Sequence, residues 1–205
     1  MRRRELLRTI RVCAAVATLG AGALGCVHHH RSAQPELPPG MPPAAPAEAD
    51  RMATRDLGPV AADACDVAAL VSEVGPRCRR VIGQAATGSE PATSASAFDG
   101  NACTTWSGGG AAPKFVAVDF GKLATVTGVL LIAEVPAVGA MKHVVESSDD
   151  GTSWKVAYVV EGQMAGSRAY SIPFRAAFTA RYLRITTETS SGPVAWREIV
   201  PVDCS

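Results

Sequence analysis

Phe98-Asp99-Gly100-Asn101-Ala102-Cys103-Thr104-Thr105-Trp106 joins a tight turn, a run of oxygen donors and a large aromatic anchor. Gly100 permits a sharp bend. Asp99 offers a carboxylate, Asn101 a backbone or amide carbonyl, and Thr104 a hydroxyl with its carbonyl. That mixture on a bent loop suits calcium, which takes about six to eight oxygen ligands. The plainer reading is a turn whose Asp and Asn side chains bond their own backbone.

Downstream of Cys78 the chain breaks into short apolar runs punctuated by Gly, Pro, Ser and Asp. The runs are Lys114 to Phe120, Thr125 to Ala133, Lys142 to Ser147, Trp154 to Val160, Ala169 to Phe174, Ala180 to Thr187 and Ala195 to Val202. Within the sixth, Tyr182, Arg184 and Thr186 alternate with Leu183 and Ile185, the period of a strand with one face toward a core. No long helical segment separates the runs, so the sheet is expected to be antiparallel. Seven or eight such strands in roughly 125 residues fit one β-sandwich.

Upstream, Asp63 to Gly75 carries a helical pattern. Asp63 stands as the cap, Val67, Leu70, Val71 and Val74 form a stripe, and Gly75-Pro76 stops the helix. A stripe of four residues predicts a lid packed on the domain. Residues 26–60 are rich in Pro and Ala without apolar periodicity, which reads as a semi-extended disordered tether. His28-His29-His30 at its root is read as solvated, because a metal site draws ligands from separated, rigid positions.

Residues 1–25 combine five arginines with an apolar run from Val12 to Leu24, the pattern of a secretory signal too short to span a membrane. Ala23-Leu24-Gly25-Cys26 resembles the bacterial lipobox, which implies cleavage ahead of Cys26 and a lipid on its sulfur. The expected address is the bacterial cell envelope, held to the membrane by that lipid. Removing this segment takes five arginines and one glutamate from 20 basic and 19 acidic residues, leaving a mature chain near −3. No basic run remains, so nucleic acid is excluded as a partner.

The loop 98–106, together with Ser148-Asp149-Asp150-Gly151-Thr152-Ser153-Trp154, Ala180-Arg181-Tyr182-Leu183-Arg184-Ile185 and Trp196-Arg197-Glu198-Ile199, resembles the discoidin or coagulation-factor type C domain family. That family includes carbohydrate-binding modules of the galactose-binding jelly-roll type. The resemblance covers roughly residues 78–205 and implies an all-β antiparallel jelly roll. It implies a structural calcium held by the Phe98 carbonyl, Asp99, Asn101, Thr104 and Glu198. On that reading a chelator lowers the melting temperature, and an unchanged melting curve without metal in the sample rules the ion out. It also implies buried tryptophans at Trp106 and Trp154; Phe98, Phe115, Phe120, Phe174 and Tyr182 are read as core as well.

Once Cys13 leaves and Cys26 is lipidated, Cys65, Cys78, Cys103 and Cys204 remain, and an exported protein pairs them. The resemblance implies Cys78 with Cys204, stapling the two ends, which leaves Cys65 with Cys103. Cys65 with Cys78 is taut but possible, and Cys65 with Cys204 alongside Cys78 with Cys103 stays open.

Sugar-binding members use loops at one end of the sandwich. Here these are Ser107 to Ala112, Glu134 to Lys142, Glu161 to Arg168 and Thr187 to Pro193, all small and poor in aromatics. Glu134, His143, Arg168 and Trp196 are the candidate ligand contacts, Trp196 being the one tryptophan held open as a surface ring, against burial as the commoner outcome. The apolar loop 134–142, tipped by Lys142, offers the alternative of contact with lipid or another envelope protein. His143, Ser147 and Asp149 supply a triad's residue types, but strand spacing puts His143 and Ser147 about 13 Å apart, too far for proton transfer. With no glycine-rich phosphate loop or nucleophile elbow, a non-catalytic binding module is expected.

Overall fold

The computed structural model describes residues 54–134 and 139–205. The expected signal segment, the lipidation candidate Cys26, His28–His30, nearly all of the expected tether and residues 135–138 lie outside them. Among the described residues no helix is long and apolar enough to cross a membrane.

Nine strands form the fold: β1 (Arg55–Pro59), β2 (Arg79–Arg80), β3 (Ala85–Gly88), β4 (Trp106–Ala111), β5 (Lys114–Ala133), β6 (Gly139–Ser148), β7 (Lys155–Met164), β8 (Arg168–Thr189) and β9 (Pro193–Asp203). One helix, α1 (Ala68–Val74), and a 3-10 helix over Pro91–Ala97 complete it. Every strand pairing is antiparallel. The all-β jelly-roll sandwich expected from the sequence is the fold observed.

Two pairs of expected strands are each one long strand. β5 pairs with β8 along nearly its full length, with register shifts between Asp119 and Ala124 and between Val126 and Gly128. Those irregularities bend both strands, so that each serves two layers. Residues 114–119 of β5 and 182–187 of β8 join β3, β6 and β7; residues 128–133 and 169–173 join β1, β9, β2 and β4. The sequence reading split them because the bend residues interrupt the apolar period.

Between the layers lies a core that includes Trp106, Val118, Leu131, Ile172, Leu183, Ile185 and Ile199. A second cluster joins Leu130, Ile132, Ala169, Val200 and Val202 to Val60, Val67 and Val71. Alternation therefore buries β5 twice. Val129 and Leu131 face the sandwich, while Leu130 and Ile132 face the N-terminal segment. This accounts for the unbroken apolar run 129–133, and it makes α1 the lid that its stripe predicts.

Three boundaries differ from expectation. β1 lies inside the expected tether and pairs with the edge of β8. The helix begins at Ala68 and not near Asp63, because Cys65 is tied to Cys103 and Asp66 bridges to Asn101, which draws that stretch out of helical geometry. Asp66, not Asp63, accepts the Ala68 N–H at 2.8 Å. Ser107–Ala111, expected as a loop, is a strand that carries on from Trp106 and pairs with β9.

Both disulfides implied by the family resemblance are present, Cys65–Cys103 and Cys78–Cys204. They close 38 and 126 residues of sequence. Loop-closure entropy grows with the logarithm of loop length, about 4 kcal/mol for the shorter and about 5 kcal/mol for the longer. Replacing Cys78 and Cys204 by Ser is therefore expected to lower the urea midpoint more than replacing Cys65 and Cys103. The reverse order would show that tying down the 98–106 loop outweighs chain closure.

Candidate functional site

The loop 98–104 is built as its residue types require. Gly100 has φ +84°, in the left-handed region. Asp99 Oδ1 accepts the Asn101 N–H at 2.8 Å, and Asn101 Oδ1 accepts the Cys103 N–H at 3.0 Å. The Thr104 hydroxyl lies 2.9 Å from Asp99 Oδ2 and 2.8 Å from the Asn101 carbonyl. Below the loop the Trp106 ring is fully buried, its Nε1 donating to the Glu90 carbonyl at 3.0 Å.

β9 delivers Glu198 to this loop. Its register against β5 shifts between Ile132 and Ala133, which pair with Glu198 and Trp196 and leave Arg197 as the extra residue of a bulge. Glu198 is fully buried, and its Oε2 accepts the Gly100 N–H at 3.0 Å. Its Oε1 has no partner. Burial pushes this carboxyl up to about 8, against the pull of the Arg80 charge and the Gly100 N–H. Arg197 is also buried; its guanidinium donates to the carbonyls of Ala102 at 2.5 Å, and of Val60 and Ala61 at 3.2 Å each.

Phe98, Asp99, Asn101, Thr104 and Glu198 are thus brought together, as a calcium site requires. A different cation occupies the place. Arg80 of β2 donates from Nη2 to the Phe98 carbonyl and from Nη1 to the Asp99 carbonyl, the latter at 3.3 Å. Asp99's carboxylate is already engaged by Asn101 and Thr104, and among the described residues no three His, Cys, Asp or Glu side chains form a metal cluster. With Arg80 on the Phe98 carbonyl and the Asp99 carboxylate bonded within the loop, two of the oxygens a resident calcium would use are engaged, and the residues do not fit that ion.

The candidate ligand contacts do not converge. Trp196, held as a candidate surface ring, is 1% exposed, and His143 is likewise 1% exposed. Their rings meet edge to face at 4.8 Å, because the inward positions of β6 and β9 face each other across the core. His143 Nδ1 lies 2.9 Å from the Thr187 hydroxyl. Glu134 is exposed, 3.9 Å from Arg197 Nε, and Arg168 forms an ion pair with Asp56 at 2.8 Å. In the apolar loop 134–142, Met141 turns into the core and Lys142 pairs with Glu188 at 2.7 Å.

The rings left accessible are elsewhere. Phe115, expected in the core, is 36% exposed, and Trp154 and Tyr182 are half-buried. They share the outer face of the β3-β5-β8-β6-β7 layer. The Arg184 guanidinium lies 4.1 Å over the Trp154 ring and 5.9 Å from Phe115, held from behind by Glu146 at 2.6 and 2.7 Å. Trp154 and Tyr182 stand edge to face at 6.5 Å beside a cavity of about 250 Å³ that also borders Asp119, Thr87 and Gly151. The turn before Trp154 is fixed by Asp150, whose Oδ1 accepts the N–H groups of Thr152 and Ser153 at 2.7 Å each, holding its carboxyl below the ordinary range. Alternation along β8 could have marked Tyr182 and Arg184 as outward. Phe115 and Trp154 carry no such signal, since the strand-like context of Phe115 and the family resemblance at Trp154 both point inward.

The F5/8 type C domain profile matches residues 82–199, more than half of the chain. The chain belongs to that family. Among solved structures it is similar to chitosan-binding module 1 derived from a chitosanase/glucanase of Paenibacillus sp. IK-5, at 27% identity and a TM-score of 0.51, covering 61% of this chain and 98% of that one. It is also similar to the CBM32 of AlyQ in complex with 4,5-unsaturated mannuronic acid, at 25% identity and a TM-score of 0.51, covering 60% and 97%. No curated protein matches the chain.

His143 supplies a pH test of this core. Burial holds its pKa down at about 4, against an ordinary 6.5. The stability tied to the neutral ring is present above pH 6.5 and is lost as pH falls from 6.5 toward 4, because only the unfolded chain gains the proton there. The full effect is about 3 kcal/mol. His143→Gln removes this loss, so its urea midpoint is expected to rise relative to the wild type's as pH falls from 6.5 to 4, while Glu198, whose raised pKa acts with the opposite sign, contributes equally to both proteins; a constant difference between the two across that window would assign the pH dependence to other groups.

Proposed function

We propose that this chain is a non-catalytic, lipid-anchored protein of the bacterial cell envelope whose F5/8 type C domain binds carbohydrate. The observation that carries the reading is the strip of accessible rings, Phe115, Trp154 and Tyr182, on the flat outer face of one layer. Sugar rings present apolar C–H faces that settle on aromatic side chains, while their hydroxyls need fixed donors and acceptors. Arg181, bonded to Asp119 at 2.8 and 2.9 Å, and Thr87 at the cavity stand ready for the second task. The similar modules that bind chitosan or hold a mannuronic acid support the same ligand class.

Support for the anchor comes from residues 1–26, whose arginine-rich start, apolar run and Ala23-Leu24-Gly25-Cys26 agree with export and lipidation. The chain after Cys26 would hold the domain away from the membrane, within reach of envelope glycans.

Calorimetric titration of the full chain with chitosan oligomers, mannuronate oligomers and a neutral glucan tests the reading. Phe115→Ala or Trp154→Ala is expected to weaken binding about tenfold, equivalent to roughly 1.4 kcal/mol. Arg168→Ala, whose side chain pairs with Asp56 of β1 in the other layer, is expected to leave it unchanged. Binding lost through Arg168 but not through the rings would move the site to the end loops, and silence toward all three polymers would remove the carbohydrate reading.

A further inference from the structure

We infer that Arg80 is the resident cation of the 98–104 loop, occupying with its guanidinium the position that a calcium ion would take among the same oxygens. Three observations point there. The Phe98 and Asp99 carbonyls both accept from this one side chain. Gly100 leaves room for it: a Cβ built there would lie 1.8 Å from Arg80 Nη1, so the absent side chain is the cradle of the guanidinium. Glu198 then brings a buried carboxylate to the other side of the loop, with Oε1 lacking any hydrogen-bond partner.

The backbone fixes Arg80 where it can do this. β2 is only two residues long, but it pairs with β9, Arg80 opposite Val202, two residues after the Cys78–Cys204 link. Arg79, its neighbour, bonds Asp203 at 2.9 Å. The stem of Arg80 is therefore held by a disulfide, a ladder and an ion pair before its head reaches the loop. Arg80 lies two residues before the family's matched segment at residues 82–199. A guanidinium also differs from a metal in kind. It donates along fixed directions to two carbonyls and cannot gather a shell of six or more oxygens.

The inference is independent of the carbohydrate reading, and its test reads metal content and melting temperature. The purified full chain is expected to carry no stoichiometric calcium and to melt at the same temperature with calcium or with chelator. Arg80→Met, which keeps the stem and removes the donors, is expected to melt about 5 °C lower. Millimolar calcium is expected to restore part of that loss in Arg80→Met, but not in Arg80→Met/Glu198→Gln. A wild type that holds calcium or is destabilised by chelator would overturn the inference. So would an Arg80→Met variant that melts like wild type, or one that calcium does not rescue, since an ordinary packing role predicts no exchange with a metal. If Arg80→Met does not fold, Arg80→Lys, which keeps the charge but not the fork, is read in the same way, and the wild-type measurements decide without either variant.

Discussion

Two consecutive ionisable residues buried at one bulge set the terms for much of this structure. Arg197 and Glu198 sit on β9 between the sandwich core and the N-terminal segment, where an unpaired charge costs several kcal/mol. Each must be answered from elsewhere in the chain. Arg197 takes the carbonyls of Val60, Ala61 and Ala102, which fixes the path of the segment entering α1. Glu198 takes the Gly100 N–H and the field of Arg80, which fixes the loop 98–104. Without the bulge an extra residue would shift the pairing and send both groups to other faces, and the neighbours that now satisfy them would have no partners.

Much of this architecture was legible because it rests on periodicity and on cysteine count. Leu183 and Ile185 against Tyr182 and Arg184 gave a strand with a correct inner face. Val67 and Val71 gave a lid, and the second core cluster shows what it covers. Four cysteines in a chain expected to be exported gave two disulfides, and the pairing came from family resemblance. What stayed illegible depends on contacts distant in sequence. Nothing local marks Arg55–Pro59 as a strand, because its apolar content is low and its only partner is β8, more than a hundred residues away. The bulge at Arg197 likewise exists only relative to β5.

The ligand candidates show the same limit from the other side. His143 and Trp196 were selected by chemical type, an imidazole and an indole that could meet a sugar, yet strand phase turns both inward and stacks them. Phe115 reads as core from its strand context and Trp154 from the family resemblance, yet both flank Arg184 at the outer face. Residue type sets what a side chain can do; strand register decides whether it meets solvent. In a β-sandwich one step of register exchanges those two outcomes, so site residues are the part of a sequence reading most exposed to error.

The N-terminal extension gives the motif loop a second meaning. From residues 60–80 come the Cys65–Cys103 link, the Cys65 carbonyl accepting the Ala102 N–H at 2.7 Å, the Asp66 bridge to Asn101, and the Arg80 donors to Phe98 and Asp99. All four converge on seven residues of loop, 98–104. A bound metal would fix such a loop by drawing its oxygens inward from a single point. The extension fixes it by attachments at several points, all covalently continuous with the chain. Such attachments cannot dissociate as a free ion can, and a loop held in this way keeps its shape whether or not calcium is available where the protein resides.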